Sequence, residues 1–169
     1  MIFVTVGNAT QGFPRLLEAV ESCAKAGLFE GRPIFVQTGN NPEFRPTHCT
    51  IQPFLSVEEF CNYMERAELI ICHGGCGTLL HALRLGKVPV AMPRRKKYNE
   101  HVNDHQVQLV QALSLEGKIL VAYEPADLSK AVIEAREERQ KPLSIPLSRM
   151  RELVGVAIEE LIGRKTVTD

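Results

Sequence analysis

The sequence contains no tryptophan, and aromatic residues fill only 6% of its 169 positions. A surface that grips single-stranded nucleic acid needs aromatic platforms in a basic groove. Twenty basic residues here cancel twenty acidic ones, so no global field draws the chain to a polyanion or an anionic membrane. No nucleic-acid partner is expected. Long apolar runs are missing too: the longest are strand-sized, against the roughly 20 residues that cross a bilayer. The opening stretch, MIFVTVGN, carries no basic leader ahead of its apolar residues, and the chain reads as cytoplasmic. Five cysteines make an odd number, scattered through apparent core segments, which fits reduced thiols. Cys72, His73, Cys76 and His81 resemble metal ligands in type, but no second Cys/His pair stands at zinc-site spacing. Neither a metal nor a cofactor is expected.

What is present is ordinary for a folded domain: 44% hydrophobic and 24% charged residues. The length suits one domain with a substantial core, spanning residues 1–169. Short β-branched runs alternate with helical patterns. Strands are expected at 2–6, 33–38, 49–54, 68–73, 88–93 and 118–123. Helices are expected at 14–26, after a Ser56/Glu59 capping box with Leu55 and Phe60 as a hydrophobic staple, from about Thr78 to Leu85, from about Val102 to Leu115, from near Pro125, and over 148–163. In that last stretch Met150, Leu153, Val154, Ala157, Ile158 and Leu161 recur at helical spacing and either pack on the domain or dock a partner. Strands apolar on both faces, separated by helices, indicate a doubly wound, Rossmann-like α/β domain with a parallel sheet.

In such sheets ligands bind beyond the carboxyl ends of the strands, where the strand order reverses. Three candidate loops lie there. Gly74, Gly75 and Gly77 sit between a strand and a helix, where bare backbone and unpaired helix amides can cradle phosphate. A merely tight turn is the alternative. Gly7 and Gly12 flank the turn after the first strand, where Asn8, Thr10 and Gln11 either contact phosphate or simply satisfy the loop backbone, and Gly39 lies in the TGNN that ends the second. The third loop, PRRKKYNEHVNDHQ, sets Arg94, Arg95, Lys96 and Lys97 ahead of Glu100, His101, Asn103, Asp104, His105 and Gln106, which crowd a helix start. The helix dipole explains the acids. The amide of Gln106 and the imidazole of His105 suit sugar hydroxyls, or are ordinary solvated first-turn residues.

The segments FVTVGN, QTGN, HGGCGTLLHALRLGKVPVAMPRRKKYNEHVNDHQ and LVAYEPADL resemble the glycosyltransferase family 28 C-terminal domain. The resemblance is to its free-standing kind: the catalytic subunit of the two-component N-acetylglucosaminyltransferase of N-glycan assembly, and bacterial exopolysaccharide subunits. It implies the nucleotide-sugar-binding half of a GT-B glycosyltransferase, with Gly7 and Asn8 near the donor diphosphate and the turn from His73 through Gly74, Gly75, Cys76 and Gly77 to Thr78 on the nucleotide phosphate. His105 and Gln106 would hold the sugar, and the cations from Arg94 to Lys97 would face diphosphates. Cys76 stands where members commonly have Ser. His81 stands where they often have the Glu that grips the ribose.

The reaction the resemblance implies is metal-independent transfer with inversion from a UDP-sugar to a lipid-diphosphate-linked acceptor. A general base is then required; Glu100 and His105 are candidates, with His73, His81 and His101 behind them, and in related single-chain enzymes the base lies in the other half. That half would be a membrane-anchored, acceptor-binding subunit that recruits this chain to the cytoplasmic face. A non-catalytic nucleotide-sugar-binding or regulatory subunit is the competing reading. A third is an adaptor whose 94–97 cations bind anionic lipid or nucleic acid.

Overall fold

The structure is a computed structural model, and it describes residues 1–138. The expected terminal helix at 148–163, and with it the far end of the single-domain assignment, lies outside the described residues. Six strands form one sheet in the order β3-β2-β1-β4-β5-β6, every neighbouring pair parallel. They are β1 (Ile2–Thr5), β2 (Ile34–Gln37), β3 (Thr50–Gln52), β4 (Leu69–His73), β5 (Val90–Met92) and β6 (Leu120–Val121). The helices are α1 (Pro14–Lys25), α2 (Val57–Arg66), α3 (Cys76–Arg84), α4 (His105–Leu115) and α5 (Pro125–Glu138), with a 3-10 turn at Lys96–Tyr98. The doubly wound expectation holds, and among the described residues no helix is long and apolar enough to cross a membrane.

The strands alternate sides because successive side chains point to opposite faces. Val4, Val36, Ile71 and Met92 face α1 and α5, where Leu16, Leu17, Val20, Leu128 and Val132 close one core. Phe3, Ile70, Cys72 and Ala91 face Met64 of α2, Leu79 and Leu83 of α3, and Leu109, Val110 and Leu113 of α4. Burial on both faces explains why these strands read as continuous apolar runs rather than as alternating ones.

Strand and helix starts differ from the expectation mainly at α4. Ser56 does cap α2: its Oγ accepts from the Glu59 amide while the Glu59 carboxylate accepts from the Ser56 amide, a complete capping box. The helix expected from Val102 instead begins at His105. Two polar side chains hold the preceding residues out of it: Asp104 Oδ1 accepts from the Lys96 amide at 2.9 Å, and Asn103 Oδ1 accepts from the His105 amide at 3.2 Å. Val102, expected on the apolar side, is therefore 68% exposed. α3 starts earlier than expected, at Cys76 directly after Gly75.

Candidate functional site

β1 and β4 are neighbours, and their connections leave in opposite directions, β1 toward β2 and β4 toward β5. A crevice opens at such a reversal. The β1–α1 loop and the β4–α3 turn flank it, and the β5–α4 loop lies alongside.

The β1–α1 loop is fixed by a relay of polar atoms. The Gly7 amide donates to Thr5 Oγ1 at 3.1 Å, Thr5 Oγ1 donates to Gln37 Oε1 at 2.6 Å, and Gln37 Nε2 donates to Asn8 Oδ1 at 2.8 Å. Thr5 and Gln37 are buried, so each needs these partners to offset lost water. The loop after β2 clasps the same segment: the Phe13 amide donates to Asn41 Oδ1 at 2.6 Å, and Asn40 Nδ2 donates to the Ala9 carbonyl at 2.7 Å. Gly39 has φ 52°, and a Cβ there would stand 2.7 Å from the Gly7 carbonyl oxygen. Only glycine fits a backbone this close.

His73 ends β4 and points between two glycines. A Cβ on Gly7 would lie 2.6 Å from its ring, and one on Gly75 would lie 2.2 Å from Nε2. Its Nδ1 is buried without a hydrogen bond of acceptable geometry. Burial first, then the charge of Arg94, hold the imidazole down to a pKa of about 4, with the Thr5 backbone pulling the other way and His101 adding to the depression. His73 is accordingly neutral at pH 7.

α3 begins at Cys76 with Gly75 as its N-cap and no capping side chain. Its first helical bond comes from the Leu79 amide to the Gly75 carbonyl, so the amides of Cys76, Gly77 and Thr78 point ahead of the helix with its dipole behind them. Gly77 is exposed, and a Cβ there would meet nothing within 4 Å. Gly74 is glycine for another reason. A Cβ on it would meet Val110 Cγ1 at 2.9 Å and Gln106 Cβ at 3.1 Å, so α4 packs directly on this turn. That contact brings Gln106 to the crevice. Its Oε1 accepts from the Arg94 amide at 3.1 Å. Because an N–H requires an acceptor, the side-chain amide is oriented, and its NH2 is left as a donor for a ligand.

The third loop divides differently from the expectation. Arg94 is turned inward and has no exposed surface; its Nη1 donates to the carbonyls of Gln11, Gly12 and Glu100, and its Nη2 to that of Val6. It therefore does not face a diphosphate directly. Burial lowers its pKa to about 10, opposed by Glu100, and it stays charged. Glu100 is also buried: its carboxylate accepts from Arg15 Nε and Nη2, both at 2.8 Å, and from the Arg95 amide at 3.0 Å. With both oxygens committed, Glu100 is not placed to take a proton from an acceptor. Arg95 pairs with Glu124 at 2.7 Å, while Lys97 lies exposed over the Tyr98 ring and 3.4 Å from Glu124. Asn103 and Asp104 are engaged by the loop itself, as above. His101 is half-buried and its Nδ1 accepts from the Asn103 amide at 3.4 Å. His105 is exposed at the first residue of α4. His81 sits five residues into α3, its ring 6.0 Å from that of Phe60.

The arrangement thus brings together Gly7, Asn8, Gly39, His73, Gly75, the α3 amides and Gln106. Sequence reasoning missed Thr5, Gln37, Asn41 and Arg15, which hold these residues in place. Thr5 and Gln37 carried a readable signal, since each is a polar residue closing an otherwise apolar strand; Arg15, in the first turn of a helix, carried none. A groove of about 660 Å³ runs between α1 and α5 beside Arg15, Tyr98 and Glu100. His73, Gly75 and Gln106 take no part in it.

The family description that matches the chain is the glycosyltransferase family 28 C-terminal domain, over residues 1–158. A curated protein of Yarrowia lipolytica, UDP-N-acetylglucosamine transferase subunit ALG13, is 30% identical over 131 residues, which cover 72% of this chain and 64% of that protein. A UDP-N-acetylglucosamine--N-acetylmuramyl-(pentapeptide) pyrophosphoryl-undecaprenol N-acetylglucosamine transferase of Bdellovibrio bacteriovorus is 28% identical over 51 residues, 30% of this chain and 14% of that one. The chain thus spans less than two thirds of either relative. Among solved structures, the glycotransferase of kitacinnamycin superposes with a TM-score of 0.63 at 19% identity, covering 96% of this chain and 42% of that one. The solution structure of ALG13 gives 0.57 at 19% identity, covering 90% and 94%. At these identities the two likenesses concern the fold.

Proposed function

Since the chain belongs to the glycosyltransferase family 28 C-terminal domain, we propose that it is the donor-binding subunit of a two-component, inverting hexosyltransferase. It moves a sugar from a UDP-sugar to a lipid-diphosphate-linked acceptor, and a membrane-anchored partner supplies the acceptor half at the cytoplasmic face. The single observation that carries the donor site is the start of α3. Gly77 has open space beyond its Cα and no positive φ, so nothing among the described residues requires glycine there. A ligand approaching the amides of Cys76, Gly77 and Thr78 does.

In this reading the diphosphate lies on those amides beside neutral His73, whose Nε2 reaches toward Gly75. Gln106 donates its NH2 to a sugar hydroxyl or a phosphate oxygen. The acceptor hydroxyl attacks the anomeric carbon, the bond from that carbon to the UDP oxygen breaks, and the electron pair leaves with UDP, whose growing charge the helix amides stabilise. The hydroxyl proton goes to a base. Glu100 is committed to Arg15 and Arg95, so the base is assigned to the partner half, with His105 as the exposed group on this side.

The test has two arms. Titration of the isolated chain with UDP is expected to shift the amide resonances of residues 75–78. Co-expression with the acceptor half is expected to give transfer to a lipid-diphosphate acceptor, and Gln106→Ala in this chain is expected to cut it by about tenfold or more. Undiminished transfer by Gln106→Ala sinks the catalytic reading in favour of a regulatory subunit.

A further inference from the structure

Arg94 is among the largest side chains with no exposure at all. Taking a guanidinium out of water is costly unless its donors find acceptors. A buried arginine ordinarily ends on a carboxylate. This one ends on backbone: Nη2 donates to the Val6 carbonyl at 2.8 Å, and Nη1 donates to those of Gln11, Gly12 and Glu100 at 2.9, 3.1 and 3.1 Å. The neighbouring carboxylate, that of Glu100, is taken by Arg15 and the Arg95 amide. The Phe13 ring covers the guanidinium at 4.8 Å. The backbone amide of Arg94 is in turn fixed by Gln106. The β1–α1 loop, the β5–α4 loop and the first turn of α4 therefore meet at one residue.

The direction of those carbonyls has a consequence. In a trans peptide the N–H lies opposite the C=O, and the described residues contain no cis bond. Drawing the Gln11 and Glu100 carbonyls in toward the guanidinium turns the amides of Gly12 and His101 away from it. Neither amide makes a hydrogen bond among the described residues.

The structure assigns to Arg94 the role of positioning residue for the donor site, a role that rests on the reading above. From behind the site it locks two distant loops in one register, so that the Gly12 and His101 amides and the Gln106 NH2 are presented together to an anionic sugar nucleotide. Its positive charge, held near the Glu100 carboxylate, lies behind them. Lysine cannot replace it, because a point charge with three donors does not span four carbonyls arranged around a planar fork.

Arg94→Lys and Arg94→Met test this in the full chain. Lys87→Met serves as a control: Lys87 Nζ donates to the carbonyls of Met64, Glu65 and Ala67 at the end of α2, away from the crevice. UDP affinity, thermal midpoint and exchange of the Phe13 and Glu100 amides are measured; these amides close the two loops through Asn41 and Arg95. Both Arg94 variants are expected to lose about tenfold or more in UDP affinity and to exchange the Phe13 and Glu100 amides faster by a similar factor. Lys87→Met should lower the thermal midpoint with UDP affinity unchanged. Phe13→Leu, which removes the ring and leaves the carbonyls, should weaken UDP by about threefold and keeps the test open if Arg94→Met does not fold.

The proposal is overturned if Arg94→Lys binds UDP like the wild type, or if Lys87→Met loses affinity in step with its thermal midpoint. A wild-type chain that binds no UDP refutes the donor reading instead. The exchange measurement then still decides the positioning role, which unchanged Phe13 and Glu100 amides in the Arg94 variants would refute.

Discussion

A neutral imidazole enclosed between two glycines makes the protein sensitive to acid. In the unfolded chain His73 takes its proton near 6.5, whereas in the folded chain burial and Arg94 defer that to about 4. Between these values the unfolded state binds the extra proton, so stability is full above about 6.5 and declines as pH falls through the window, by about 3 kcal/mol for this group alone. Glu21 acts lower down. Its carboxylate accepts from the Thr47 amide and hydroxyl and from His48, and these bonds outweigh burial to bring its pKa from 4.5 to about 2. Its contribution is present above about 4.5 and lost as pH falls toward 2. Thermal midpoints measured from pH 7 downward should fall in two stages, with His73→Gln flattening the upper stage and Glu21→Gln the lower. Gln106 offers a separate test. Gln106→Glu keeps the acceptor for the Arg94 amide, loses the outward donor and sets a carboxylate beside the proposed diphosphate site, so titrations should show UDP and UDP-sugar binding both weakened by about tenfold. The place of Gln106 at a helix start beside the crevice was legible from its type and position. The inward turn of Arg94 was not, because three of its four acceptors lie 82 to 88 residues away in sequence.

At the scale of the elements, α3 sets two glycines against each other. Gly75→Ala drives a methyl into His73 Nε2, 2.2 Å away, and should cost about 1–3 kcal/mol of stability together with UDP binding. Gly77→Ala meets no chain atom and should stabilise the helix by roughly 0.5–1 kcal/mol. If a diphosphate lies over α3, the same methyl weakens UDP binding; denaturant melts and UDP titrations of the two variants make the comparison. The existence and type of these elements were legible because apolar periodicity and the Ser56 capping box are local signals. The start of α4 was not. Asn103 and Asp104 are good capping residues by type, but Asp104 is drawn back to Lys96 by a loop whose course is set by Arg15 and Glu100, a pairing 85 residues long.

For the whole molecule, the strand order follows from parallel strands joined by helices, with the first strand placed centrally. Among the described residues the crevice is bordered by loops of this one sheet, and the chain covers 42% of the kitacinnamycin glycotransferase it superposes on. The isolated chain is accordingly expected to bind UDP without transferring sugar, and labelled sugar should reach a lipid-diphosphate acceptor only when the partner half is present. Activity of the chain alone would contradict the two-component reading. On the two-component reading proposed above, the acceptor is recognised by the partner half, so these residues carry no signal for it.

The clasp of Arg94 on Val6, Gln11, Gly12 and Glu100 also orders events in time. Bringing together chain segments this far apart incurs its entropic penalty before any contact offsets it. During synthesis β1 and its loop emerge first and must wait until the segment from β5 through Glu100 has followed. The proposed donor site is therefore completed late in folding: a chain arrested short of β5 has its first four strands and the start of α3, but neither the Arg94 clasp nor Gln106.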